Sequence, residues 1–284
     1  MKSNFEREPG EAIVPYIRKS DSYLSAKSQI FSLATQRILN VVFSLVGTEK
    51  SIHEVQRGAG TESYTIKLSA QEFIEQFGNE YGNNLYAYFR KAAAELSDLV
   101  IQVQNGEGDF IFFSPYPIVK YEDGVFQITI SQPLGPNAIQ IWDENSRMFQ
   151  ISSVSKITSK YTCRLYELLM SYLMRGLHEF TVDLTSFRAQ MGLYVEKVDK
   201  NGNISILVDM YKDDYRVLNK KILKPCVEEI NKVTDLFIDY CVPHYDKNKR
   251  GCPTVGIDFS VYRRNEMDAQ FIEEYDAGIG RKSE

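Results

Sequence analysis

Residues 213–231, DDYRVLNKKILKPCVEEIN, decide how this chain is read. At helical period Tyr215, Leu218, Ile222, Cys226 and Ile230 recur three or four apart and form one apolar side. Arg216, Lys220 and Lys224 stand four apart on another side, with Lys221 beside them and Lys212 just ahead. Asp213 or Asp214 suits the N-cap, because a carboxylate there accepts from the unpaired amides of the first turn. Pro225 removes one backbone donor, so a kink is expected at that point. A lysine-rich face usually does no more than keep a helix soluble. The segments C-terminal to this helix change the odds: LFIDYCV and TVGIDFSV look like strands, and between them lies PHYDKNKRGCP, rich in charge and turn formers. Helix, strand, basic loop, strand is the order of a winged helix, whose helix enters a DNA major groove while the loop touches the flanking backbone.

Outward from this stretch the same order occurs twice. Residues 1–20 read as a flexible arm, and from Ser22 the run YLSAKSQIFSLATQRILNVVFSLV carries a long helical pattern that ends near Gly47. YTIKL is a strand, SAQEFIEQFG a helix from a Ser69 cap to a Gly78 stop, and NNLYAYFRKAAAELS a helix capped by Asn83 or Asn84. Its core face is Leu85, Phe89, Ala92 and Leu96. LVIQVQ and DFIFFSP are strands joined by the turn NGEG, and PIVKYED and GVFQITIS form a hairpin that turns at Asp123-Gly124. QPLGPNAIQIWDENS is the linker candidate. After it come a helix (SKITSKYTCRLYELLMSYLM), a strand (EFTVDL), a helix (TSFRAQMG), a polar connection and the basic helix with its strands. TIKLS with FIEQFG and TVDLT with FRAQMG share T-[IV]-x-L-[ST] and F-x-x-Q-[FM]-G, the mark of one domain used twice. The expected fold is α+β, two tandem winged-helix domains: 21–131, a linker at 132–146, 147–264, and an acidic tail at 265–284.

Composition sets limits on function. A chain of 284 residues with 43% apolar and 12% aromatic residues fills two ordinary domains. No apolar run is long enough to cross a bilayer and MKSNFEREPGE lacks a signal peptide's h-region, so a cytoplasmic protein without membrane contact is expected. The four cysteines show no CxxC and no zinc spacing; Cys163 and Cys226 fall in helical patterns and read as small buried residues. A net charge of −5 requires any DNA-facing charge to be concentrated locally. There is no GxxxxGK[ST] phosphate cradle. His53, His178 and His244 are isolated, which removes the histidine pair of a rolling-circle nickase, and no tyrosine has an activating partner set. The expectation is a protein that is not an enzyme and uses no cofactor or metal.

The segments ITSKYTCRLYELLMSYL, TVDLTSFRAQMGL, YRVLNKKILKPCVEEINKVTDLFIDY and IDFSVYRR, together with LSAKSQIFSLATQRILN and QPLGPNAIQI, carry a resemblance. Over roughly residues 20 to 263 the chain resembles the iteron-binding plasmid replication initiators, the Rep proteins built from tandem winged helices. The resemblance implies binding of short direct repeats at a plasmid origin as a monomer, opening of adjacent DNA and recruitment of host initiator and helicase machinery. It also implies a homodimer that binds an inverted repeat and represses its own gene. A winged-helix transcription regulator, or a protein-interaction module that does not bind DNA, are the alternatives.

Candidate contacts follow from residue type. Arg216, Asn219 and Lys220 suit base edges, since arginine pairs two-pronged with guanine and asparagine with adenine. Lys212, Lys221 and Lys224, and Lys247, Lys249 and Arg250 in the loop, suit phosphates. Ser159 and Lys160 stand where a helix N-terminus can receive a phosphate. In the first domain the equivalent helix offers Asn83, Asn84, Tyr86, Arg90 and Lys91.

Overall fold

Ser69 ends a strand and opens a helix, and the way it does so shows how closely local chemistry sets the framework. Its side chain accepts from the Glu72 amide at 3.2 Å while the Glu72 carboxylate takes the Ser69 amide at 2.8 Å, a complete capping box. The structure, a computed structural model, describes residues 5–7, 16–20, 31–46, 63–78, 84–99, 101–105, 109–131, 146–198, 204–212 and 214–266. The chain divides into two compact units, with the change between Lys160 and Tyr161.

The first unit contains β1 (Phe5–Arg7), β2 (Tyr16–Ser20), α1 (Leu33–Val46), β3 (Ser63–Ser69), α2 (Ala70–Phe77) and α3 (Leu85–Ser97). It continues through β4 (Ile101–Asn105), β5 (Asp109–Phe113), β6 (Ile118–Glu122), β7 (Val125–Ser131), β8 (Ser146–Gln150) and α4 (Ile151–Ser155). Its main sheet has the order β1-β3-β7-β6, antiparallel apart from the parallel β1–β3 pair. The expected β6–β7 hairpin turns at Asp123 and Gly124, whose φ values of 50° and 78° are the paired left-handed conformations of a two-residue turn. Phe89 joins the layers, its ring 5.5 Å from Phe73 on α2 and 5.0 Å from Phe126 on β7. All four expected core residues of α3 are buried.

The second unit contains α5 (Lys160–Leu173) from its second residue on, β9 (Glu179–Asp183), α6 (Leu184–Gln190), β10 (Tyr194–Val198) and β11 (Ile204–Asp209). Then come α7 (Tyr215–Leu218), a π-helical turn (Asn219–Leu223), α8 (Lys224–Val233), β12 (Leu236–Tyr245) and β13 (Thr254–Arg263). The three-stranded sheet runs β12-β13-β9. In each unit the strand after the first helix therefore pairs with the last strand of the hairpin, which separates it from the other: β3-β7-β6 matches β9-β13-β12. The internal repeat extends to the helix before it. Ser32, Thr35 and Arg37, just before and within α1, align with Ser159, Thr162 and Arg164, just before and within α5. Arg37 lies over the Phe77 ring at 5.5 Å, and Arg164 donates to the Gln190 carbonyl at 2.8 Å, so both arginines reach the end of the following helix.

Four expectations need correction. Within the supposed flexible arm, β1 pairs with β3 and β2 pairs with β8; Tyr16-Ile17 supplies strand-forming side chains that a reading by charge overlooks. The long first helix is not continuous from Ser22, because Phe31 and Ser32 are non-helical. Ser32 Oγ takes the Thr35 amide at 3.4 Å, and the Ser32 amide donates to the Glu95 carboxylate at 2.9 Å, which starts the helix at Leu33. The polar connection after α6 is a hairpin, β10–β11, whose alternating Val195, Lys197, Ile204 and Ile206 flank an Asn-Gly pair. The kink at Pro225 takes the form of a π turn just ahead of it. The residues 22–30, the turn 106–108, Asn83, the linker residues 132–145 and the tail from 267 lie outside the described residues.

Candidate nucleic-acid interface

The basic stretch forms one helical rod with a π turn in its middle. Asp214 is its N-cap, the carboxylate accepting from the Val217 amide at 3.0 Å; Asp213 lies outside the described residues. The Lys224 amide donates to the Asn219 carbonyl, five residues back instead of four. In an α-helix the Pro225 ring would press on the Lys221 carbonyl, and the wider turn relieves that clash. Leu218, Ile222, Leu223, Cys226 and Ile230 are buried. Arg216, Lys220, Lys221 and Lys224 are exposed and Asn219 is half-buried. Among the described residues Arg216, Lys220, Lys221 and the exposed Lys212 have no ion-pair partner, while Lys224 faces Glu228 at 4.0 Å.

Both ends of this rod lie beside β12. Near the start, Tyr215 lies beside Cys241 and Tyr245, and burial followed by these neighbours pushes its hydroxyl well above the ordinary tyrosine range. At the other end the Asn231 amide side chain brackets Ile238, donating to its carbonyl at 2.9 Å and accepting from its amide at 2.7 Å. The rod thus runs antiparallel to β12, and its first turn, with Arg216, sits next to the strand's end where the wing begins. Burial also pushes the Cys226 thiol up to about 11 and the Cys241 thiol up to about 12.

The wing is a built turn. The Asp246 amide donates to the Pro253 carbonyl at 2.9 Å, and its carboxylate accepts from the Asn248 amide at 3.0 Å and pairs with Lys249 at 3.3 Å. Gly251 and Cys252, at φ 85° and 43°, reverse the chain. Lys247, Lys249 and Arg250 are exposed around this turn. Lys249 is committed in part to bracing Asp246, leaving Lys247 and Arg250 without an ion-pair partner among the described residues. Tyr245, 48% exposed at the base of the wing, belongs to the same surface. An aromatic in a strand-like run reads as core, and only its place beside a basic loop marks it otherwise.

The remaining candidates are placed less tightly. Ser159 precedes and Lys160 begins α5, both half-buried, and the Lys160 carbonyl accepts from Gln36 at 3.2 Å. In the first unit Asn84 occupies the N-cap of α3 without a side-chain cap bond. Tyr86, 61% exposed, meets Tyr121 of β6 with ring centroids 5.8 Å apart, which sets α3 along β6 as the basic rod lies along β12. Arg90 and Lys91 are exposed on it. The matching hairpin differs in chemistry. Its tip carries Glu122 and Asp123, and the Gly124 carbonyl accepts from Ala70 at 3.0 Å, so it folds back on α2. Cys163 and Cys226 are buried as expected; His178 and His244 are exposed, and His53 lies outside the described residues. Among the described residues no group of three His, Cys, Asp or Glu is placed to hold a metal ion, and no helix is long and apolar enough to cross a membrane.

Two family models match this chain: Initiator Replication protein, WH1, over residues 16–170, and Initiator Rep protein, WH2, over residues 203–261. The chain belongs to the initiator replication protein family. It carries the family's two winged-helix domains, and the first match begins at β2, inside the stretch expected to be an arm. No curated protein matches it. Among solved structures it is similar to the one described as the crystal structure of Pi initiator protein in complex with iteron DNA. That similarity has a TM-score of 0.65 at 15% identity and covers 88% of this chain and 99% of the other, which makes it a likeness of fold.

Proposed function

We propose that this initiator starts plasmid replication by binding short direct repeats of double-stranded DNA at the origin as a monomer. The observation that carries this reading is the exposed basic row Arg216, Lys220 and Lys221, without an ion-pair partner among the described residues, on a rod whose first turn adjoins a wing bearing Lys247 and Arg250. A helix in the major groove and a loop on the flanking phosphates need charge in those two places. The Pi initiator, similar in fold, is described with iteron DNA, which supports the same class of ligand here. In this reading Arg216, Asn219 and Lys220 read bases, while Lys212, Lys221, Lys224, Lys247, Lys249 and Arg250 meet phosphates. Ser159 and Lys160 add a phosphate contact at the start of α5. The second domain, within 147–264, is the main sequence reader. The first, within 21–131, contributes weaker contacts through Asn83, Asn84, Tyr86, Arg90 and Lys91, since its short turn carries acid where a wing would carry base.

The monomer then opens adjacent DNA and recruits the host's replication initiator and helicase in the cytoplasm. A dimer formed through the first domain binds an inverted repeat and represses the protein's own gene. A gel shift with the DNA flanking the gene tests the central claim. Retention of fragments with tandem direct repeats, in preference to scrambled ones, is the expected result. Equal retention of both, or of neither, rejects it. A shift confined to an inverted repeat favours the transcription regulator.

A further inference from the structure

The outer face of the second domain's sheet carries a surface of opposite character. Helices cover the inner face: Phe259 meets Phe187 of α6 with ring centroids 6.1 Å apart, and Cys241, opposite Phe259 in the register, shares that face. Alternate residues therefore face outward. By register they form rows across the sheet: Tyr240, Ser260 and Glu179, then Val242, Asp258 and Thr181. A groove of 520 Å³ lies along these rows. Tyr240 and Val242 stand 37% and 44% exposed there, an aromatic and an aliphatic side chain left in water among carboxylates.

The polar groups are prepared unequally. Asp258 is held by Thr181 Oγ1 at 2.6 Å and lies 3.1 Å from His244 Nδ1. Glu179 is exposed and has no hydrogen-bond or ion-pair partner among the described residues. Tyr240, Glu179 and Asp258 line the same groove, and burial followed by these two carboxylates raises the Tyr240 hydroxyl above its ordinary value. Carboxylates here repel phosphate, so this face does not serve DNA. A guanidinium answers the groove's exposed features: it stacks on an aromatic ring and pairs with a carboxylate through two donors.

We propose that this groove docks an arginine-bearing basic segment of a partner protein, with the guanidinium over Tyr240 and paired to Glu179. Because the basic rod packs on the other face of the same sheet, partner and DNA do not compete for these residues. The inference stands without the DNA reading, since nothing in it uses the basic row.

The test uses the full chain and a labelled oligo-arginine peptide followed by fluorescence anisotropy, with oligo-lysine of equal length as comparator. Arginine is expected to bind more tightly than lysine, because only the planar cation stacks. Tyr240→Ala, which leaves the charge unchanged, and Glu179→Gln are each expected to weaken the arginine peptide by about threefold or more. Glu122→Gln, which removes an exposed acid from the first domain, is expected to have no effect. Thermal melts identify a misfolded Tyr240→Ala, in which case Tyr240→Leu, which keeps bulk and β propensity, replaces it. Equal binding of both peptides, or equal loss with Glu122→Gln, overturns the proposal as general attraction to an acidic chain. Self-association that disappears with Glu179→Gln assigns the face to a second copy and likewise overturns it.

Discussion

Arg216 and Arg90 occupy the same kind of helix, yet their positions along it differ. Arg216 lies in the first turn, beside the wing, and the N-terminal residues of a recognition helix are the ones that reach base edges. Arg90 stands in the second turn of α3, whose neighbouring hairpin carries acid. Arg216→Ala is therefore expected to cost about 1–3 kcal/mol, concentrated at one base position, and more than Arg90→Ala. Titration against singly substituted sites checks it; a uniform loss on every sequence makes Arg216 a phosphate contact. Arg188 has a different task. Buried on α6, it pairs with the Asp209 carboxylate and donates to the Met210 carbonyl at 2.8 Å, fastening the β10–β11 hairpin. Arg188→Ala removes both of these bonds but leaves a carboxylate that water can reach, and urea unfolding should show a loss of about 1–3 kcal/mol. The thiols add a pH dependence. Burial raises Cys226 and Cys241 from 9.0, so the folded chain keeps protons that the unfolded chain releases. Their contribution is complete below about pH 9 and is lost as pH rises toward about 11–12. Unfolding midpoints compared at about pH 7 and pH 10 should fall at the higher pH, and less so in Cys226→Ala.

The rod from Tyr215 to Val233 shows what a sequence discloses and what it conceals. Its cap at Asp214, buried stripe and exposed lysines were all legible, because each depends on residues three or four apart. So were the β12 and β13 strands and the Ser69 and Gly78 boundaries, which rest on local caps and alternation. The pairing of β1 and β2 was not, since their partners lie 59 and 134 residues downstream (Phe5 with Tyr64, Tyr16 with Gln150), beyond any local signal. Nor was the distribution of counter-charge that ties down Lys249 and leaves Lys247 and Arg250 without an ion-pair partner among the described residues. The π turn falls between these cases. In a regular α-helix each four-residue step overshoots a full turn by about 40°, so Arg216 and Lys224 would end about 80° apart. A turn that takes in an extra residue returns both the basic row and the Leu218–Ile222–Cys226 stripe to alignment. Pro225 holds that turn in place by excluding the α alternative. Pro225→Ala is therefore expected to keep or raise stability while weakening specific DNA binding and narrowing the gap to non-specific sites. Unchanged discrimination in a folded variant restricts the π turn to core packing.

At the scale of the whole molecule, the first domain contains more sheet than a wing requires. β4 and β5 pair only with each other among the described residues, with Val103 opposite Ile111, so this ribbon has outer edges that no described strand covers. DFIFF is apolar and has one charge, and an edge of that composition is disposed to pair with a copy of itself. Such pairing closes a two-fold dimer, whose symmetry matches an inverted repeat, whereas direct repeats lack that symmetry and select monomers. A charge on β5 opposes the self-pairing, so Ile111→Lys is expected to shift the protein toward monomers, strengthening direct-repeat binding and weakening inverted-repeat binding. Under the proposed dimer, monomer and dimer trade against each other through one ribbon, and the ratio of the two affinities is expected to change even where neither domain's base contacts do. Sedimentation equilibrium measures the first shift and anisotropy on the two DNA designs the second. A thermal melt must accompany both, because a lysine forced into packed surroundings unfolds the domain and lowers both affinities together. An unchanged dimer from a folded Ile111→Lys protein places the interface on other strands.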